Sequence, residues 1–288
     1  MPNIKTVVIS IPNSNRRIVI DKYLNNQGIN FEFLDAAYSK NITRDDYRFI
    51  FENYKIGVNS DNSFPDSFKG RGWVNIGEIG CSLSHFLAYR KLLNSEYDCF
   101  LILEDDAKPL FTGDELSHFI KNINLNGIDL ICCQSTKPSY ELKESHKNLL
   151  DTIKLPQNDI ERNEFTSSGY IVTKSGAKKL ACIIEQNGLV FTADNHMWRC
   201  AEYSGRNANN GFVFNNIKFH EEEFNWYITT KHIQITLYRE TSDATQIHNT
   251  DIKHGNQLTN DHYNRTCKEY MSNGISFIYN NVPLDNLL

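Results

Sequence analysis

The chain has 288 residues, of which 40% are hydrophobic and 23% are charged, and its formal net charge is −5. This composition is typical of a globular protein, and the acidic balance argues against a broad electrostatic contact with nucleic acid, so no nucleic-acid partner is expected. The apolar runs have the length of strands, well below the roughly 18–20 residues that span a bilayer. The seven cysteines include no CxxC pair and are expected to be reduced thiols in a cytoplasmic protein.

The first elements read as strand, helix and strand. Residues 5–11 are apolar and β-branched, and they run into a Pro-Asn-Ser-Asn turn that predicts the start of a helix over residues 16–26. Gly28 ends this helix, and a second strand over residues 30–37 contains Asp35 near its end. A long polar segment follows over residues 41–75, and long loops of this kind are often functional or disordered.

The rest of the chain alternates helices and strands until about residue 240. Apolar side chains at helical spacing predict a helix over residues 77–94. The further predicted elements are strands at 99–103, 128–133, 169–173 and 211–219 and helices at 113–122, 174–185 and within 191–204.

This alternation predicts an α/β fold with a mixed, mostly parallel sheet flanked by helices. We expect residues 1–240 to form the main domain and residues 241–288 to form a C-terminal appendage packed on it. Ligands of such sheets bind beyond the carboxyl ends of the strands, where Asp35 and Glu104 to Asp106 would lie.

The run Glu104-Asp105-Asp106 directly follows an apolar strand. Three adjacent carboxylates repel one another, and a divalent cation such as Mg²⁺ or Mn²⁺ would relieve the repulsion. The alternative is that the acids belong to a solvated loop. Taken alone, the motif does not decide between the two.

The helix that precedes this strand carries its own polar face, on which Glu78 and His85 lie together. Cys81 and His85 are four residues apart and could hold half of a zinc site, but the sequence offers no second pair with suitable spacing. A serine hydrolase is not supported, because no G-x-S-x-G motif is present. On its own, this helix is read as structural rather than catalytic.

Four segments in order resemble glycosyltransferase family 25, the lipooligosaccharide and lipopolysaccharide sugar transferases. They are VVISIPNSNRR at 7–17, FEFLDAAY at 31–38, GEIGCSLSHFLAYRKLL at 77–93 with LILEDDA at 101–107, and SGYIVTKSGAKKL at 168–180 followed by Asp194. The resemblance covers about residues 5–200, and it implies a GT-A-like (Rossmann-type) fold, a UDP-sugar donor, a Mn²⁺ or Mg²⁺ ion, and transfer with inversion.

The resemblance also implies roles for particular residues. Asp106 would be the main metal ligand, supported by Glu104, and a later histidine, His220 or His196, would complete the metal shell. Arg17 could contact phosphate, or it could be an ordinary surface arginine. The residues expected to line the nucleotide pocket are Ser10, Ile11, Pro12, Arg17, Asp35, Glu104 and Asp105.

An inverting transferase needs a general base for the acceptor hydroxyl. Asp194 is the first candidate, although it could instead cap the next helix. Glu78 and His85 are further catalytic candidates, and the run Glu221 to Glu223 is an alternative base. Trp73, Trp198 and Trp226 could stack on sugar rings, with at least one of them expected in the core.

The sequence therefore predicts an inverting transferase that moves a hexose from a UDP-sugar, and galactose is the favoured hexose. The expected acceptor is an oligosaccharide or glycolipid of a bacterial surface, such as lipooligosaccharide or capsule. It would be cytoplasmic, with peripheral association with the inner membrane left open. Two alternatives stand beside it, a non-catalytic glycan-binding protein on a decayed transferase fold and a metal-dependent phosphohydrolase.

Overall fold

The structure is a computed structural model that describes residues 2–37, 76–133, 152–154, 167–187, 192–205, 219–229 and 233–237. The predicted loop at 41–75 and the predicted appendage at 241–288 lie outside the described residues. So does nearly all of the strand predicted at 211–219.

The described residues form nine strands and five helices. The strands are β1 (Ile4–Ser10), β2 (Phe31–Asp35), β3 (Cys99–Glu104), β4 (Ala107–Pro109), β5 (Leu130–Cys132), β6 (Thr152–Lys154), β7 (Gly169–Thr173), β8 (Trp226–Thr229) and β9 (Ile235–Leu237). The helices are α1 (Asn15–Asn26), α2 (Ile76–Leu93), α3 (Gly113–Asn122), α4 (Lys174–Asn187) and α5 (Ala193–Tyr203).

Seven of these strands form one sheet in the order β2-β1-β3-β7-β5-β8-β6, and β4 pairs with β9 in a separate ribbon. Strands β2, β1 and β3 are parallel, β7 is antiparallel to both β3 and β5, and β8 is parallel to β5. Five of the seven strands therefore run in one direction, which confirms the predicted α/β class with a mixed, mostly parallel sheet.

The sheet separates two apolar clusters because successive side chains of a strand point to opposite faces. On one face, Val7 and Ile102 pack with residues of α2, α4 and α5. On the other face, Val8 and Leu101 pack with residues of α1 and α3 and with the ribbon strand β9. The described part of the molecule is thus layered as helix, sheet and helix.

A buried ion pair fastens α4 to the opposite, amino-terminal edge of the sheet. Asp129 precedes β5 and accepts hydrogen bonds from Lys179 Nζ at 2.8 Å, from Ser175 Oγ at 2.7 Å and from the Asn225 backbone N–H at 2.8 Å. At Gly176 a side chain is excluded, because a Cβ there would lie 2.0 Å from the Asp129 carbonyl oxygen. Helix α4 therefore packs directly against the chain that enters β5.

Most sequence-predicted boundaries fall within two residues of those observed. The short strands β4, β6, β8 and β9, of three or four residues each, were not predicted from the sequence. Among the described residues, no helix combines the length and the apolar character that crossing a bilayer requires. None of the six cysteines in the described part of the chain forms a disulfide.

Candidate functional site

The acidic motif lies at the carboxyl edge of the three parallel strands. Ser10 pairs in register with Asp35 at the end of β2, and the preceding residue, Ile9, pairs with Glu104 at the end of β3. The ends of β1, β2 and β3 therefore bring these polar side chains together, as the sequence predicted. The antiparallel β7 starts at the same edge, where the Ser168 carbonyl accepts a hydrogen bond from the Glu104 backbone N–H at 2.9 Å.

Asp105 is held by two partners from the first strand–helix unit. Its Oδ2 accepts a hydrogen bond from Ser10 Oγ at 2.8 Å, and its Oδ1 accepts one from Arg16 Nη1 at 3.3 Å. Burial raises the pKa of the Asp105 carboxyl, while Ser10 and Arg16 act in the opposite direction and Asp106 adds to the rise. Asp105 is therefore a largely buried residue that ties the end of β3 to the end of β1 and the start of α1.

Asp106 is also largely buried, and its Oδ2 lies 3.8 Å from the same Arg16 Nη1 atom. One guanidinium thus stands between two adjacent carboxylates. Arg16 is the local counter-charge of the acidic motif, since its guanidinium lies within ion-pair distance of both carboxylates.

The neighbouring Arg17 binds a different carboxylate, that of Asp35. Its Nη1 donates to Asp35 Oδ1 at 2.6 Å, and its guanidinium lies 4.1 Å from the centre of the Phe33 ring. Ile11 and Pro12 form the turn between β1 and α1, in which the Ser14 N–H donates to the Ile11 carbonyl at 3.2 Å. The predicted nucleotide-contacting residues of this segment therefore border the acidic edge.

Glu104 points toward α2 and β7. Its Oε1 accepts a hydrogen bond from Ser167 Oγ at 2.5 Å and lies 3.3 Å from His85 Nε2. His85 is buried, and its other ring nitrogen, Nδ1, lies 2.7 Å from the Tyr170 hydroxyl, which in turn donates to Tyr89 at 3.2 Å. This chain of polar contacts fixes the ring of His85 and aims Nε2 at Glu104.

Cys81 lies one helical turn before His85 and joins the same group. The possible ligand atoms of Cys81, His85 and Glu104 all lie within 4.8 Å of one another. Burial, and to a lesser degree the negative charges of Glu104, Asp194 and Asp106, raise the pKa of the Cys81 thiol well above its usual value. Asp194 is thus close enough to Cys81 for its charge to act on the thiol.

Asp194 sits in the first turn of α5, whose N-cap residue is Thr192. Its Oδ1 accepts hydrogen bonds from Thr192 Oγ1 at 2.6 Å and from the Asn195 N–H at 2.9 Å. Asp194 is therefore inside the helix rather than its cap, and half-buried beside the site. Glu78, also predicted as catalytic, falls in the first turn of α2, but its side chain is outside the described residues.

The structure does not bring His220 or the run Glu221 to Glu223 to this edge. The His220 carbonyl accepts from Gly205 N at 3.0 Å, beyond the last turn of α5, whereas Asp194 lies in the first turn. Glu222 lies 3.7 Å from Lys179, which is bound to Asp129 at the amino edge of the sheet. These residues are separated from Glu104 by about the length of β3, roughly 16 Å, so the expected roles of His220 as a metal ligand and of Glu221 to Glu223 as a base do not fit this geometry.

Two further residues that the sequence offered as candidates, His196 and Trp226, lie buried in the protein interior. His196 is buried, its Nε2 lies 3.0 Å from the Leu180 carbonyl oxygen, and burial lowers its pKa to about 4. Trp226 is a core residue, as expected for at least one tryptophan, whereas Trp198 is partly buried and stacks with Arg199, whose guanidinium lies 4.1 Å from the ring centre. Trp73 lies outside the described residues.

Sequence reasoning missed three residues that shape the site, Arg16, Ser167 and Tyr170. An arginine pair was visible at the start of α1, but the sequence could not say which arginine faces β3. Ser167 and Tyr170 flank the start of β7, and their contacts to Glu104 and His85 join residues 63 and 85 positions apart. No local pattern carries that information.

The chain matches the family model described as glycosyltransferase family 25 (LPS biosynthesis protein) over residues 3–197. It is 22% identical to procollagen galactosyltransferase 1-B of Xenopus laevis over 53% of this chain and 23% of that protein. It is 25% identical to a glycosyltransferase 25 family member of Anopheles gambiae over 57% of this chain and 26% of that protein. The chain spans about a quarter of the length of these relatives.

Solved structures with a similar chain path are more distant. One is the galactosyltransferase LgtC in complex with donor and acceptor sugar analogues, at 13% identity and a TM-score of 0.38, covering 83% of this chain and 88% of that one. Another is a glycosyltransferase involved in the glycosylation of the major capsid of PBCV-1, at 11% identity and a TM-score of 0.37, covering 87% of this chain and all of that one. Nothing about activity follows from similarities this low.

Proposed function

The chain belongs to glycosyltransferase family 25, and from that premise we propose that it transfers a hexose, galactose first among them, from a UDP-sugar to a hydroxyl of a glycan acceptor with inversion. The observation that carries the proposal is the carboxylate edge, where Asp105 and Asp106 stand beside Ser10 and Arg16 at the ends of β1 and β3. Ligands of α/β sheets bind at this edge.

The nucleotide would bind over the turn between β1 and α1. Ser10, Ile11 and Pro12 border it, and Asp35 lies on the next strand. Arg17, which now binds Asp35, would turn toward a phosphate. Arg16 already stands at the acidic motif as a fixed positive charge. A diphosphate is stabilised by such a charge together with the backbone N–H groups at the start of a helix.

The donor atoms fit a hard divalent cation such as Mn²⁺ or Mg²⁺. Asp106 and Glu104 would hold it, because Asp105 is occupied by Ser10 and Arg16. Within the described residues the three acids do not form a three-ligand cluster of their own. That suits an ion that takes one or two protein carboxylates and completes its shell with phosphate oxygens and water. When bound, the ion would supply neutralisation of the charge on the departing diphosphate.

Asp194 is the proposed general base. It is half-buried, lies beside the acidic edge, and accepts hydrogen bonds at Oδ1 from Thr192 and Asn195, which fix its orientation. An ionised carboxylate held in this way can accept the proton of the attacking hydroxyl. We do not assign the role to Glu221 to Glu223, which lie at the opposite edge of the sheet.

The acceptor is proposed to be an oligosaccharide or glycolipid of a bacterial surface, such as lipooligosaccharide or capsule. The family description names lipopolysaccharide biosynthesis, which supports this class. A cytoplasmic protein in peripheral contact with the inner membrane would meet such a lipid-linked acceptor. The name of the procollagen relatives does not transfer, because the chain spans only about a quarter of their length.

The test is incubation with UDP-galactose and other UDP-sugars, Mn²⁺ and a panel of glycan acceptors, with release of UDP and formation of product followed together. We expect sugar transfer that requires the metal and falls by at least about a hundredfold in Asp106→Asn, as for the loss of one electrostatic contact to the departing group. Asp114→Asn, at an exposed aspartate on α3, is the matched control and should keep full activity.

Three results would overturn the proposal. If no UDP-sugar binds or reacts with any divalent metal, there is no transferase. If phosphate appears without an acceptor, the protein is a phosphohydrolase. If glycans bind equally well to the wild type and to Asp106→Asn without turnover, the chain is a binding protein.

A further inference from the structure

The cluster of Cys81, His85 and Glu104 combines three kinds of metal-binding atom. Cys81 and His85 are one turn apart on α2, and Glu104 ends β3, so the helix supplies a sulfur and a nitrogen and the strand supplies an oxygen. All three atoms lie within 4.8 Å of one another. The i, i+4 pair was visible in the sequence, but the strand residue that completes it was not.

The spacing agrees with tetrahedral coordination. Zinc bonds of ~2.1 Å to nitrogen and oxygen place two such ligands ~3.4 Å apart, and His85 Nε2 lies 3.3 Å from Glu104 Oε1. With a zinc–sulfur bond of ~2.3 Å, the thiolate would sit ~3.6 Å from either of them. The sulfur's distance to either ligand, which is at most 4.8 Å, must therefore shorten by roughly 1.2 Å at most, which a change of the Cys81 side-chain torsion can provide.

The surrounding side chains hold two of the ligands in the required orientation. The Tyr170 hydroxyl donates to Tyr89, so its oxygen is placed to accept a hydrogen bond from His85 Nδ1–H, which leaves the Nε2 lone pair for a metal. Ser167 donates to Glu104 Oε1 and fixes that carboxylate. Hydrogen bonds from such supporting groups are characteristic of metal-binding histidines and carboxylates.

We propose that Cys81, His85 and Glu104 form a binding site for a thiophilic divalent cation of the Zn²⁺ class. It lies beside the proposed site for a hard cation at Asp106 and shares Glu104 with it. The thiolate and imidazole favour zinc or cobalt over magnesium or manganese, and three protein ligands leave a fourth position for water. On binding, the Cys81 thiol releases its proton to the buffer, and the sulfur binds the ion as a thiolate. The site does not depend on the transferase assignment, because it concerns binding alone.

The test is a titration of the full chain with Co²⁺, which reports its own ligands by absorption. We expect one equivalent to give the strong visible bands of tetrahedral cobalt and a near-ultraviolet thiolate-to-cobalt band. Equimolar Zn²⁺ should abolish both bands, whereas a large excess of Mg²⁺ should leave them. Cys81→Ser should lose the thiolate band, and Cys182→Ser, at another partly exposed cysteine, should keep it.

Because the chain has nine histidines and seven cysteines, cobalt could bind elsewhere, and Cys81→Ser could also fail to fold. A variant at a second ligand controls for both effects. Glu104→Gln keeps the volume of the side chain and should weaken cobalt binding at least tenfold while retaining the thiolate band. The proposal is overturned if the wild type shows no thiolate band, or if the band has equal strength in Cys81→Ser. It is also overturned if Glu104→Gln, with an unchanged melting temperature, binds cobalt as tightly as the wild type.

Discussion

At the scale of single residues, the two adjacent arginines of α1 illustrate how the site is assembled. Consecutive helical residues point about 100° apart, so Arg16 reaches Asp105 and Asp106 while Arg17 reaches Asp35. The pair thus serves two different strands of the sheet. The sequence identifies the pair, but only the packing of α1 on the sheet determines which arginine meets which acid.

The proposed role of Asp194 as the general base can be tested by a single substitution. Asp194→Asn keeps the size and the hydrogen-bond acceptor of the side chain but removes its basicity, so we expect kcat to fall by about 10²–10⁴. Binding of UDP with Mn²⁺ should change by less than threefold, since Asp194 lies on α5 and not among the proposed donor-binding residues. Steady-state kinetics and calorimetry measure the two quantities separately, and unchanged kcat would remove Asp194 from the role.

His196 makes folding stability depend on pH. Its pKa in the folded protein is about 4 because of burial, below the usual value of 6.5. The unfolded chain therefore binds a proton more readily in this interval, and stability is lost as the pH falls from 6.5 toward 4. Between pH 7 and pH 5 this group should cost roughly 2 kcal/mol of unfolding free energy.

Urea unfolding at both pH values measures that loss, with His196→Gln as the comparison. Glutamine keeps a side-chain donor for the Leu180 carbonyl but does not titrate. We expect the loss between pH 7 and pH 5 to be smaller in the variant by roughly 2 kcal/mol. Equal losses in the two proteins would show that His196 is not the group responsible.

At the scale of elements, local sequence patterns located the long helices and the buried strands. Strands β1, β3 and β7 stand out because each is a run of apolar residues, and α2 and α4 show helical spacing of apolar residues. The reversed direction of β7 was not predictable, since apolar character is the same for parallel and antiparallel strands. That reversal is what brings Ser167 and Tyr170 to the acidic edge.

The contact between α4 and β5 depends on one buried ion pair. Lys179 Nζ donates to Asp129 at 2.8 Å and to the Glu223 carbonyl at 2.7 Å. Lys179→Met would leave the Asp129 carboxylate buried without its cation, and loss of one partner of a buried pair costs roughly 3–5 kcal/mol. Urea unfolding should show this loss, whereas Lys178→Met, at the adjacent exposed lysine, should change stability by less than about 0.5 kcal/mol.

At the scale of the whole molecule, the two edges of the sheet have different tasks. The carboxyl edge carries closely spaced acids with one arginine between two of them, so a single positive charge faces two adjacent carboxylates. At the amino edge, the Asp129 carboxylate accepts hydrogen bonds from Lys179, Ser175 and the Asn225 backbone N–H. The proposed site and a well-paired structural contact thus lie at opposite edges of the same sheet.

The same substitution at the two edges should therefore have opposite effects. Asp105→Asn removes a buried charge whose pKa is raised by burial, so we expect an equal or higher melting temperature at pH 7 together with weaker binding of UDP and Mn²⁺. Asp129→Asn removes the partner of Lys179 and should lower the melting temperature while leaving nucleotide affinity within about twofold.

The pH dependence separates this account from a general effect of asparagine. Because the pKa of Asp105 is raised in the folded protein, the folded state binds its proton more tightly than the unfolded chain, and the contribution of Asp105 to stability increases as the pH falls through that interval. The advantage of Asp105→Asn in melting temperature should therefore shrink on acidification, as measured by calorimetry at several pH values. Two results would contradict this account. One is an advantage of Asp105→Asn that grows toward low pH, and the other is a loss of stability in Asp105→Asn as large as that in Asp129→Asn. Either would show that the charge of Asp105 does not destabilise the folded protein.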